Sequence, residues 1–165
     1  AATKNHHEYA AGLLHHTTTM LRVAELLSSV YSVNKSLLYA GIILHDIGKT
    51  IELSGPIVPK YTTQGKLLGH ISIINAEVYK TCQELGINGE TATLLQHMIL
   101  SHHGNKEFGS PILPLTREAV ILHFVDDLDS KMNILDKAYA DVEEGNFTQR
   151  IMPMDGRAFY KPKKK

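Results

Sequence analysis

Apolar positions recur along this chain at three- and four-residue spacings, with no convincing two-residue alternation anywhere. Over 8–31, Leu13, Leu14, Met20, Leu21, Val23, Ala24 and Leu27 predict a first helix. His16 stands four residues before Met20 and seven before Val23, so it is expected to face inward, with His15 at the periphery. Asn34 or Ser36 can cap a second helix running to His45. Gly55, Pro56 and Pro59 break the pattern, and 54–65 reads as a loop. A third helix is predicted over 66–85, with Leu67, Ile71, Ile74, Val78 and Leu85 on one stripe and His70 near its start. A fourth, over 90–102, carries Leu94, Leu95, Met98 and Ile99 and stops at Gly104. A fifth starts near Thr116, passes through Asp126-Asp127 and runs to about Glu143. The expectation is an all-α, compact, single-domain helical bundle of about five to seven helices over 1–145. Residues 146–165 have no clear period and read as a C-terminal strap and basic tail.

Composition narrows this picture. A chain of 165 residues with 43% hydrophobic content can bury a real core. Basic and acidic residues balance at 17 each, which argues against a strongly polyanion-binding body. The exception is Lys161-Pro162-Lys163-Lys164-Lys165, read here as a solvated, frayed end, with a phosphate-contacting arm as the alternative. One cysteine, Cys82, excludes a disulfide framework and a Cys-rich zinc site, and fits an intracellular, cytoplasmic compartment. No stretch approaches the roughly 18 apolar residues of a membrane span, and no signal-peptide pattern precedes the predicted fold. The missing initial Met is expected of a processed or partial chain.

Ten histidines stand out, six of them as the pairs His6-His7, His15-His16 and His102-His103. His6 and His7 are expected to be solvated, and His97 and His123 to be ordinary hydrogen-bonded core histidines. Five clusters stand at or near helix ends: His16, His45-Asp46, His70, His102-His103 and Asp126-Asp127. Adjacent helical residues point about 100° apart, so His45 and Asp46 can share an ion only where the helix ends. Ile47-Gly48-Lys49 is expected to supply that ending, with Gly48 as the stop. Imidazole and carboxylate without thiolate suit a divalent ion such as Mn, Fe, Co, Ni or Zn. Two ions bridged by a carboxylate would use the whole set.

The order His16, His45-Asp46, His70, His102-His103, Asp126 resembles the HD superfamily of metal-dependent phosphohydrolases over 12–131. The phrases Gly-Leu-Leu-His-His-Thr, Leu-Leu-Gly-His, Leu-Ser-His-His-Gly and His-Phe-Val-Asp-Asp-Leu-Asp-Ser-Lys-Met are similar to the HD half of the YhaM-type bacterial 3′→5′ exoribonucleases. Glu-Phe-Gly-Ser-Pro and Gly156-Arg157-Ala158-Phe159-Tyr160 carry the same likeness.

The resemblance implies an HD-type bundle with its metal site between helices. It implies His16, His45, Asp46 and Asp126 as ligands of a first ion and His70, His102 and His103 as ligands of a second, with Asp46 bridging. Asp126 is preferred to Asp127 because the family places Leu two residues after the ligand, here Leu128. Asp129, one turn on, is a candidate to hold a ligand from behind. Lys49 matches a lysine that contacts a phosphate oxygen in some members; a cation at a helix C-terminus is its other reading. Manganese is the favoured metal, with Fe, Co, Ni, Zn or Mg as alternatives.

The expected activity is hydrolysis of phosphodiester bonds at 3′ ends of RNA or single-stranded DNA. The alternatives are a nucleotide or phosphomonoester phosphohydrolase and a non-catalytic nucleotide-binding scaffold. One departure stands against the resemblance. The family carries an OB-type domain ahead of the HD domain, which is not in this chain. HD-GYP cyclic-dinucleotide phosphodiesterases share the ligand order, but Gly-Asn-Lys-Glu-Phe follows His103 in place of their Gly-Tyr-Pro signature, which ranks them low. The oligomeric state is left open.

Overall fold

The computed structural model describes residues 12–55 and 59–164. His6, His7, Pro56 and Lys165 lie outside the described residues, as does the first part of the predicted 8–31 helix. The helices α1 (Gly12–Val30), α2 (Lys35–Leu44), α4 (Thr63–Glu84), α5 (Glu90–Ser101) and α6 (Arg117–Ala140) form the bundle. A single turn, α3 (Lys49–Glu52), stands between α2 and α4. Side chains cap three of these helices in the expected way: Asn34, Thr62 and Thr116 accept from the backbone N–H of Leu37, Gly65 and Ala119. The all-α expectation holds, with one small addition. β1 (Leu53–Ser54) pairs antiparallel with β2 (Lys60–Tyr61), starting one residue before the predicted 54–65 loop, a ribbon too short to leave an alternating pattern.

The helix α1 buries Gly12, His16, Met20 and Ala24, one residue every four, so a histidine occupies a core position on an otherwise apolar stripe. Met20 and Ala24 pack with Leu37, Leu38, Ile42, Met98, Leu122 and Val125 in the central cluster. A second cluster, Ile74, Val78, Cys82, Ala92 and Ile99, joins α4 to α5. Cys82 is therefore the small core residue its helical position suggests.

The predicted stripe of the third helix fails at both ends. Leu67 and Leu85 are 77% and 68% exposed, while Ile71, Ile74 and Val78 are buried. The cause for Leu67 lies at Gly69, whose φ of 70° and ψ of 154° interrupt the helix. That break changes the phase between Leu67 and the residues after it. It also sends His70 inward, to 7% exposure.

The C-terminal segment is more ordered than a frayed tail. Phe147 bridges Tyr160 and Ile151 bridges Arg157 in antiparallel fashion, around a turn closed by left-handed Asp155 and Gly156. The hairpin docks on the end of α6: Tyr139 Oη donates to Tyr160 O, and Lys161 Nζ donates to the carbonyls of Tyr139 and Val142. No helix among the described residues is long and apolar enough to cross a membrane.

Candidate metal centre

Five separate elements deliver the seven sequence-predicted ligands to one place. His16 comes from α1 and Asp126 from α6. His45 closes α2, and Asp46 follows in the turn to α3. His70 follows the Gly69 break, and His102-His103 follow the end of α5. All but the half-buried His103 are buried. Asp127 points elsewhere, paired with Lys131 at 2.6 Å.

Asp46 is central, and its two oxygens face different partners. Oδ2 lies 3.5 Å from His45 Nε2, 4.0 Å from His16 Nε2 and 2.5 Å from Lys49 Nζ. Oδ1 lies 3.5 Å from His70 Nε2 and 3.8 Å from His102 Nε2. His16 Nε2 also stands 3.1 Å from Asp126 Oδ1. Ligand atoms of His70, His102 and His103 all fall within 4.8 Å of one another, as do those of His16, His45 and Asp46, and of His45, His102 and Asp126.

The imidazoles are locked from behind. His45 Nδ1 meets the Ile42 carbonyl at 2.8 Å, His102 Nδ1 the Ile99 carbonyl at 2.7 Å, and His103 Nδ1 the Phe108 carbonyl at 2.7 Å. A carbonyl oxygen only accepts, so each Nδ1 carries the proton and each Nε2 presents a lone pair. Carboxylates do the same for the other two: Asp129 accepts from His16 Nδ1 at 2.6 Å, and Glu52 from His70 Nδ1 at 3.1 Å. The atoms turned inward, His45 Nε2, Asp46 Oδ1, His70 Nε2 and His102 Nε2, are buried with no hydrogen-bond partner among the described residues. Burying several polar atoms unpaired at one point is costly unless a cation completes them. The donor set therefore fits divalent metal, with nitrogen and oxygen and no sulfur.

Electrostatics agree with this assignment. Burial would raise Asp46, but the Lys49 ammonium beside it, with the neighbouring histidines, outweighs burial and holds the carboxyl well below its ordinary range. Burial likewise opposes ionisation of Asp126, and the bond to His16 prevails. Burial pushes His70 down to about 3 and His102 well below its usual value, so both stay neutral, as metal ligands must. For His16 burial also lowers, yet the bonds to Asp126 and Asp129 win and lift it to about 9. A divalent ion held by His16 would have to displace that proton.

Three features differ from the sequence-based expectation. Gly48 is not a left-handed stop: its φ of −54° and ψ of −22° are right-handed, and the chain continues directly into α3. Glycine is required because a Cβ there would overlap the His70 carbonyl oxygen. Lys49 consequently opens α3 instead of following a helix end, and its ammonium pairs with Asp46. Glu52 was not singled out at all, though it is buried and also accepts from the His70 N–H at 3.3 Å. Its only trace in the sequence is an acid two helical turns beyond His45. His97 and His123 support loops: His97 accepts from Leu115 N–H, and His123 Nδ1 donates to the His102 carbonyl.

A helical bundle with this histidine and aspartate order defines a class, and the HD domain family profile matches residues 9–131. The chain belongs to the HD domain family. It is similar to the 3′-5′ exoribonuclease YhaM of Geobacillus sp. (strain WCH70), with 55% identity over 163 residues. That match covers 98% of this chain and 50% of the relative, so the chain spans about half the relative's length. No solved structure matches the chain significantly.

Proposed function

We propose that this chain is the metal-dependent hydrolytic unit of a 3′→5′ exonuclease acting on RNA or single-stranded DNA. The observation that carries the reading is the divided Asp46 carboxylate, one oxygen toward His16 and His45 and the other toward His70 and His102. His16, His45, Asp46 and Asp126 would hold one ion, and Asp46, His70, His102 and His103 a second, with Mn the first choice of metal. When bound, such ions supply an acidified water and a positive clamp for phosphoryl oxygens.

The chain's own residues do the rest. Asp129, Glu52 and the carbonyls of Ile42, Ile99 and Phe108 fix the ring orientations. Lys49 is the cation nearest the centre, with its Nζ on Asp46 Oδ2, and would turn from that carboxylate to a non-bridging phosphate oxygen. In the reaction the oxygen of water joins phosphorus, the P–O bond to the sugar breaks, and the departing oxygen takes a proton. The similarity to an exoribonuclease supports nucleic acid as substrate, and the cytoplasm is the matching compartment.

The test combines metal analysis with hydrolysis of single-stranded oligonucleotides under Mn²⁺, comparing the parent with Asp46→Ala. Bound divalent metal and activity in the parent, both lost in the variant, are expected. A parent without metal, or equal activity in both, refutes the reading.

A further inference from the structure

The balanced charge of the chain conceals a segregation. Six of the 17 basic residues and one of the 17 acidic residues fall in 146–165, so that segment carries +5 and the remainder −5. Residues 146–164 of this segment form the ordered hairpin docked on α6, which displays aromatic rings. Phe147 and Tyr160, facing each other across the bridge with centroids 5.1 Å apart, are 65% and 45% exposed. The Arg157 guanidinium lies 5.3 Å over the Phe159 ring. The core has no use for the exposed pair, and positive charge interleaved with open aromatic faces is what a flexible polyanion of stacking bases requires.

We propose that the 146–164 hairpin is a binding surface for single-stranded nucleic acid, holding the strand away from the end that enters the metal centre. Bases stack on Phe147 and Tyr160, while Arg150, Lys163 and Lys164 meet phosphates. The surface is held at a fixed distance from the centre, because Tyr139 and Lys161 tie it to the helix that carries Asp126. The 14 residues from Asp126 to Ala140 span about 21 Å at the helical rise. That is about six stacked nucleotides at 3.4 Å each, so a dinucleotide in the centre does not reach the hairpin. This inference rests on the proposed function only for its substrate class.

The experiment measures fluorescence anisotropy of a labelled 12-nucleotide single-stranded RNA with the EDTA-treated full chain, so binding is read without turnover. Phe147→Ala with Tyr160→Ala is expected to raise Kd about tenfold or more. Phe147→Trp with Tyr160→Phe keeps it near the parent value, and Lys163→Gln with Lys164→Gln flattens its salt dependence. In the Mn-loaded chain the double alanine variant slows hydrolysis of the 12-mer at low concentration and leaves a dinucleotide unaffected. Equal Kd in parent and double alanine variant overturns the inference. So does a fall from dimer to monomer at unchanged Kd, which assigns the rings to a contact between copies. A parent that binds RNA through the hairpin but hydrolyses no nucleic acid leaves this surface standing and removes the proposed hydrolysis. A parent that hydrolyses the 12-mer while the variant matches it does the reverse.

Discussion

Gly48→Ala sets two effects of opposite sign against each other. Gly48 has right-handed backbone angles, so alanine there is expected from propensity alone to stabilise by up to about 1 kcal/mol. Packing opposes it. The new Cβ would overlap the His70 carbonyl oxygen and stand 3.0 Å from its carbon and 3.1 Å from its Cα, all backbone atoms that no rotamer change can clear. Restoring ordinary contact needs the two backbones to part by on the order of 1 Å. Overpacking of this kind costs about 1–3 kcal/mol, so the net expectation is a loss of about 1–2 kcal/mol. At about 2–4 °C per kcal/mol for a chain of this size, Tm of the EDTA-treated protein should fall by about 2–8 °C. The same movement separates Asp46 from His70, now 3.5 Å apart between Oδ1 and Nε2. Metal sites tolerate only about 0.2 Å, so the rise in Tm on adding Mn²⁺ should shrink as well. Differential scanning calorimetry with and without Mn²⁺ measures both. A variant that melts at or above the parent, with the full Mn²⁺-dependent rise, refutes the close-approach account of Gly48.

Other substitutions probe the supports. Gly69→Ala meets no atom within 4 Å but must hold φ 70° and ψ 154°, so calorimetry should show a loss of about 1–3 kcal/mol from strain alone. Asp129→Asn keeps an acceptor for His16 Nδ1 but removes the charge. NMR titration of the metal-free chain should then place the His16 pKa below the parent's value of about 9, and isothermal titration should show Mn²⁺ affinity reduced about 10–100-fold. Acid should destabilise the metal-free chain: His70 is held down to about 3, so between pH 6.5 and 3 the unfolded chain takes up a proton that the folded chain refuses. Stability then falls by up to about 1.4 kcal/mol per pH unit from this group, and a urea midpoint unchanged between pH 7 and pH 5 contradicts it.

The readings that succeeded rest on side-chain type and spacing. The four-residue repeat carrying His16, Met20 and Ala24 and the dyads at helix ends are written locally, and five helices followed from them. What was missed depends on contacts between distant segments. Gly48 resembles a stop in sequence, yet its requirement comes from His70, 22 residues away. Glu52 gains its importance only when α3 meets the start of α4. Leu67 fits the apolar stripe by count, and the Gly69 break, invisible to a periodicity argument, removes it. The basic C-terminus looked frayed because its order comes from isolated bridges and from Lys161 on α6 carbonyls.

The bonds from His45 to Ile42 and from His102 to Ile99 have a consequence for where such centres can be built. Every α-helix ends with four carbonyls that have no partner further along the helix. A histidine placed just past the last turn reaches back three residues, takes one of those carbonyls, and is thereby left with its other nitrogen basic and aimed outward. The defect of one helix end becomes the tautomer lock of a ligand, with no second side chain needed. Here α2 and α5 do this side by side, their two histidine rings 5.0 Å apart. A four-helix scaffold without designed polar networks could acquire half of a metal centre by the same placement.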